Sequence, residues 1–276
     1  MDENEFALSP VGSSINDYLD AAGSIMQLTG TIYHLFDAAV ADALSPQLRS
    51  TIGEKYADVV VDSAREHKEA NHARLHSLVV LASWAALETL ITDLCAKMLR
   101  YEPELLQTEP FKKLKLSPEI VLLDRPAQLD CIADLAFARG AAANYDGKGK
   151  FESQLSTVGL GGDVPDDLAQ GMAWANAVRN VMAHNGSRVD SKFLERCPDS
   201  GYSLGDKIAL RHQECAGIVL GLQTYTFIVM NRFRMKHGLR PLQCNQSPVN
   251  KFRDSFNQMY PGAITAQQLT EPPGTQ

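Results

Sequence analysis

Cysteine is scarce in this 276-residue chain. The five, Cys95, Cys131, Cys197, Cys215 and Cys244, are odd in number, widely spaced and never arranged as C-x2-C. That spacing argues against a disulfide framework and against a zinc finger. Cys95 and Cys215 fall on apolar helix faces and are expected in the core as small hydrophobes. No uninterrupted apolar run approaches the roughly 18 to 20 residues of a membrane span. The acidic start Met1-Asp2-Glu3-Asn4-Glu5 has no basic region leading into an apolar one, so no secretory leader is expected. A cytoplasmic protein without a membrane partner is the expectation. Motifs that carry chemistry elsewhere are missing too. A Ser-His-Asp hydrolase would need a strand-borne nucleophile elbow, and no strand is predicted to carry one. His67 to His72 does not spell H-E-x-x-H, so no metal is expected. Gly147 to Lys150 and Gly159 to Gly162 lack the strand and helix context of a phosphate loop and are expected to be turns, and no cofactor is expected.

What is present reads as helix. Hydrophobic content of 45% and charged content of 21% are close to soluble globular averages, and the length suffices for one large domain or two small ones. No repeat, heptad array or strand series occurs, so the fold class is all-α. Residues 1–12 read as a loose arm. Helical spacing then runs from Ser13 to Leu44, where Gly23 and Gly30 could kink it, and again from about Pro46 to Val61, passing into a charged segment. A helix over about Asn71 to Tyr101 is apolar nearly all round between Leu78 and Cys95, which makes it central in a bundle. Between Glu102 and Pro165 the signal weakens. Helical pieces at about 118 to 124 and 127 to 138 and a mobile basic loop over Asn144 to Lys150 are expected there. A helix from Asp163 to His184, a polar stretch to Gly205, a long helix to about His237 and an extended tail complete the chain.

Glu88 is the anomaly of the central helix. A carboxylate among Trp84, Leu87, Ile91 and Cys95 needs a partner if buried. Arg179 is one candidate, and a half-exposed position at the edge of the stripe is the alternative.

The stretch Val178-Arg179-Asn180-Val181-Met182-Ala183-His184-Asn185-Gly186 is where an apolar helix ends in a tight polar turn. Asn180 and His184, four apart, share a helix face, and Arg179 lies on the neighbouring flank. An arginine followed by a histidine after four to six residues is a cheap pattern, present also at Arg65 to His72 and Arg232 to His237. Those two lie in charged runs and are expected as solvated helix ends. Only the middle copy emerges from core-type residues.

That stretch, together with the earlier Trp84-Ala85-Ala86-Leu87-Glu88-Thr89-Leu90-Ile91, resembles the HEPN superfamily of helical domains, over roughly residues 71 to 237. The resemblance implies an antiparallel helix bundle with an N-terminal helical extension (1–70), an insertion at about 102–165 and a C-terminal tail (238–276). It implies a metal-independent endoribonuclease of toxin or antiviral-defence type, working as a homodimer on RNA, with a possible antitoxin or defence-system partner. Arg179, Asn180 and His184 would be catalytic, with Glu88 orienting Arg179. The products would carry a 2′,3′-cyclic phosphate and a 5′-hydroxyl. Members of the superfamily that have lost catalysis serve as interaction modules, so a non-catalytic helical dimer is the alternative. Family toxins silenced by nucleotidyl transfer carry a tyrosine two residues after the histidine. Gly186 stands at that position here, which argues against such control.

Net charge is −7, but it is unevenly spread. Residues 1–178 hold 14 Lys+Arg against 26 Asp+Glu, whereas residues 179–253 hold 12 against 5. The basic half begins at the motif, which fits a phosphate-facing surface. Arg188, Lys148 and Lys150 are expected to contact RNA.

Overall fold

The structure, a computed structural model, describes residues 2, 5–6, 9–40, 46–109, 111–140, 147–243, 254, 257–260 and 263. Ten helices are named here in chain order. The first five are α1 (Pro10–Val40), α2 (Pro46–Ile52), α3 (Glu54–Glu69), α4 (Ala73–Tyr101) and α5 (Pro118–Val121). They are followed by α6 (Arg125–Gly140), α7 (Gly147–Thr157), α8 (Asp166–His184), α9 (Ser191–Arg196) and α10 (His212–Lys236). Short 3-10 turns at Pro103–Gln107 and Phe111–Lys113 bridge α4 and α5. Among the described residues there is no strand, only an isolated antiparallel bridge between Arg188 and Lys207. The protein is all-α.

Contacts cluster into two compact units that do not follow the linear division expected from sequence. One comprises Met1–Leu19, Trp84–Asn176 and Leu220–Gln276, the other Asp20–Ser83 and Ala177–Val219.

The first unit is built on the C-terminal two thirds of α4. Leu87, Ile91, Leu94, Cys95, Met98 and Leu99 are all fully buried there. Their i, i+3, i+4 spacing gives one continuous apolar face. By length and composition α4 could also cross a membrane, with a mean hydropathy of 1.6 in its most apolar window. Half of that window is buried within the protein, as in a core helix. No uninterrupted apolar run of that length exists there, because Glu88 and Asp93 interrupt it.

Three stretches expected to be loose belong to this core. The basic loop expected over Asn144 to Lys150 is, from Gly147 on, the first turn of α7, while 144–146 lie outside the described residues. The reason lies downstream, in Phe151 and Leu155, one helical turn apart and both fully buried. Phe151 sits between Trp84 (centroids 5.4 Å) and Tyr225 (6.0 Å). Burying such a side chain contributes about 1.5–3 kcal/mol, enough to order the turn before it. At the N-terminus, Ser9 and Val11 are buried, and Phe6 lies 6.0 Å from Phe233 with the Arg234 guanidinium 5.1 Å from its ring centroid. In the tail, Tyr260 is buried with its hydroxyl donating to the Ile228 carbonyl at 3.4 Å. Of the tail expected to be extended, residues 244–253, 255–256, 261–262 and 264–276 lie outside the described residues.

The end of α10 corrects the expectation of a solvated Arg232 to His237. Arg234 is 1% exposed and donates from Nε to the Arg240 carbonyl at 2.9 Å. Arg232 meets Glu152 of α7, Nη1 to Oε1 2.9 Å and to Oε2 3.1 Å, and also donates to the carbonyls of Leu160 (3.1 Å) and Asp163 (2.8 Å). Lys236 is paired with Glu102. Arg232 and Lys236 neutralise carboxylates inside the unit, so part of the positive charge counted after residue 179 is structural.

The turn Gly159-Leu160-Gly161-Gly162 wraps the same ion pair, its Gly162 amide donating to Glu152 Oε2 at 2.8 Å. A Cβ on Gly161 would stand 2.9 Å from the Ser156 Cα, a backbone atom that cannot swing aside. Gly161→Ala is expected to cost about 1–3 kcal/mol by overpacking. Guanidinium denaturation measures it through tryptophan emission, since Trp84 and Trp174 both belong to this unit.

In the second unit, the helix expected from Pro46 to Val61 is broken into α2 and α3 at Gly53, whose φ of +84° suits a residue without Cβ. Conversely, Gly23 and Gly30 lie inside an uninterrupted α1. Residues 41–45, which the first expected helix would include, lie outside the described residues.

Candidate functional site

Helix α8 reaches its last turn in the second unit. Val178, Val181 and Met182 are buried and anchor that turn, while Arg179 and Asn180 are half-buried and His184 is exposed. The helix stops as the Asn-Gly pair requires. Gly186 adopts φ +56°, the left-handed conformation common just past a helix end, and the Ser187 amide reaches back to the Val181 carbonyl at 3.1 Å. Ser187 itself is left-handed at φ +64°, a conformation rare for a residue with a side chain. The Asn185 side-chain amide donates to the Arg188 carbonyl at 2.7 Å and holds the reversal.

The polar stretch after it, expected to be an irregular loop or short hairpin, is tied down by main-chain bonds. Val189 N donates to the Asp206 carbonyl (2.8 Å), Gly205 N to Val189 (2.9 Å) and Ile208 N to Ser187 (2.8 Å). Between these ties sits α9. Asp190 caps it, its Oδ1 accepting from the Phe193 amide at 2.8 Å, and the Phe193 ring is 2% exposed and edge-on to Tyr202. A buried anchor on one side of a helical turn leaves Lys192 and Arg196, four apart, on the exposed side.

The two elements enclose a cleft of about 240 Å³ lined by Asn180 and His184 from α8 and by Asp190, Lys192, Phe193 and Arg196. Arg179 is outside this lining, with its guanidinium donating from Nη1 to Asn180 Oδ1 at 2.9 Å. Of the residues expected from sequence, Arg179, Asn180 and His184 are therefore brought together, Asn180 linking the cation to the cleft. Lys192 and Arg196 were not anticipated. Their signal was local: Asp190 as an N-cap three residues before Phe193, with basic residues flanking the anchor at helical spacing.

The other expected RNA contacts lie elsewhere. Arg188 is exposed, donates to the Gly205 carbonyl at 3.2 Å and does not line the cleft. Lys150 belongs to the first unit and is ion-paired with Glu88 at 3.1 Å. It shares a cleft with Asp93, Asp130, Asp134 and Arg100, a lining with more carboxylates than cations. Lys148 lies in α7, and its side chain is outside the described residues. Glu88 is half-buried, and the partner it has within its own unit is Lys150.

The second unit also holds a cluster of imidazoles. His76 is 2% exposed. Its Nδ1 lies 2.7 Å from the Leu210 carbonyl and so carries the proton, leaving Nε2 to accept from the Tyr33 hydroxyl. With both nitrogens engaged, His76 is poorly placed to bind a metal. His72 and His212 contact the same tyrosine ring. Burial, before any neighbour, pushes both His72 and His76 below the ordinary histidine value, with Glu214 opposing and His212 reinforcing the shift at His76. The unfolded chain therefore takes up these protons first as pH falls. The stability they contribute is fully present above about pH 6.5 and is lost progressively below it. Hydrogen exchange of the second unit should accordingly be faster, relative to intrinsic rates, at pH 5.5 than at pH 7.5. His76→Gln should flatten that difference, and an unchanged difference would refute the assignment.

Comparison with protein-family models, with curated proteins and with solved structures yields no match.

Proposed function

We propose that the chain is a HEPN-like bundle and a metal-independent endoribonuclease of toxin or antiviral-defence type, acting as a cytoplasmic homodimer. One observation carries the reading. The His184 imidazole and the Asn180 amide open onto one cleft, and the Arg179 guanidinium is hydrogen-bonded to that amide. In this reading His184 removes the proton of a ribose 2′-hydroxyl, whose oxygen attacks the adjacent phosphorus as the bond to the 5′-oxygen breaks. The 5′-oxygen takes a proton from a second copy of the histidine, supplied by the partner protomer. Arg179 offers a planar array of donors to the non-bridging oxygens as charge builds on them. Asn180 keeps that array in register.

The test is incubation of the purified protein with end-labelled RNA in excess EDTA. Cleavage with 2′,3′-cyclic phosphate ends is expected. A folded dimer that leaves RNA intact would overturn the reading. It would favour a non-catalytic helical interaction module, a reading supported by the consecutive exposed apolar side chains Val121, Leu122 and Leu123, with Leu122 at 86% exposure.

A further inference from the structure

We propose that Lys192 and Arg196 are a phosphate-binding pair that holds the backbone of single-stranded RNA in the cleft and so determines which phosphodiester lies against His184. Three observations converge on it. The two cations sit one turn apart on the exposed side of α9 and line the same cleft as His184 and Asn180. Among the described residues neither is ion-paired or hydrogen-bonded, in contrast to Arg232 and Lys236, whose charges are met inside the protein. The element that carries them is fixed, by the buried Phe193 ring, by the Asp190 cap and by the main-chain ties at Val189, Gly205 and Ile208. The pair is therefore presented from a held backbone, and only its side chains lose order on binding an anion. Asp190 is the one carboxylate among the lining residues, and it already accepts the Phe193 amide. Two cations unpaired among the described residues, against one carboxylate already engaged as a cap, leave the cleft attractive to phosphate.

The choice of RNA rests on the ribonuclease reading, and the experiment separates the two. A fluorescent oligoribonucleotide methylated at every 2′-oxygen has no proton to give His184 and cannot be cut, yet it keeps its phosphates. Its affinity is measured by anisotropy across a salt series for the wild type, the double variant Lys192→Ala/Arg196→Ala, the charge-keeping Lys192→Arg/Arg196→Lys and His184→Ala. The double alanine variant should bind on the order of tenfold more weakly for each cation lost, with a salt slope smaller by about 0.7 per cation. The charge-keeping variant should bind as the wild type does, and so should His184→Ala within a few-fold. Equal affinity and slope for the wild type and a double alanine variant with an unchanged melting profile would overturn the proposal, as would no binding by the wild type. Binding through the pair without cleavage of ordinary RNA leaves the proposal standing and refutes the ribonuclease. Cleavage with binding indifferent to the pair does the reverse.

Discussion

Glu152→Ala is expected to lower the unfolding free energy by about 3–5 kcal/mol, the range for breaking a buried ion pair by removing one partner. The Glu152 and Arg232 side chains are only 14% and 12% exposed. Glu152 also accepts from the Tyr225 hydroxyl at 2.7 Å and from the Gly162 amide at 2.8 Å. Truncation leaves the buried Tyr225 phenol without the oxygen that satisfied it, at about 1–3 kcal/mol, and leaves the Arg232 guanidinium with two carbonyls but no counter-charge. Arg232→Ala should be comparably harmful. In a double-mutant cycle the second truncation should cost far less than the first, because a charge with no counter-charge is what the first one leaves behind. Tryptophan emission during guanidinium denaturation reads the effect. A loss below 1 kcal/mol for Glu152→Ala would show that water replaces the carboxylate and that the network is not structural.

His184→Ala is expected to reduce RNA cleavage about 100- to 10,000-fold, the usual contribution of a positioned acid or base, with stability unchanged. The imidazole is exposed, so its removal leaves no cavity. Arg179→Ala should also abolish most cleavage. It should carry some loss of stability besides, because Arg179 is half-buried and bonded to Asn180. Rates in EDTA and thermal melts of the same preparations distinguish the two. Undiminished cleavage by His184→Ala would remove His184 from the chemistry and place any activity in another site.

The helix ends show how far local chemistry carries. Asn185-Gly186 predicts a left-handed stop, and Gly186 takes φ +56°. The apolar periodicity of 71–101 predicts a central helix, and Leu87, Ile91, Leu94 and Met98 are fully buried. Neither signal needs distant residues. The same local reading assigns Lys150 to a mobile loop and Arg232 to solvent. Both fail because a charged side chain is placed by its partner, and those partners, Glu88 and Glu152, lie 62 and 80 residues away. The glycines make the point in miniature. Gly53 sits at a helix break with φ +84° and Gly23 lies inside a continuous helix, so a helix-weakening residue does not by itself fix where a helix ends.

Residue order alone settles the all-α class, the burial of α4 and the conjunction of Arg179, Asn180 and His184 at one helix end. Each follows from the 3.6-residue period or from a turn residue acting within a few positions. Tertiary structure decides what faces that helix end. Phe193 is buried and Asp190 caps α9, so Lys192 and Arg196 are exposed and line the same cleft as His184. It decides equally which of the many cations are spent inside the fold, since ion pairing depends on distance in space, and separation along the chain says nothing about it.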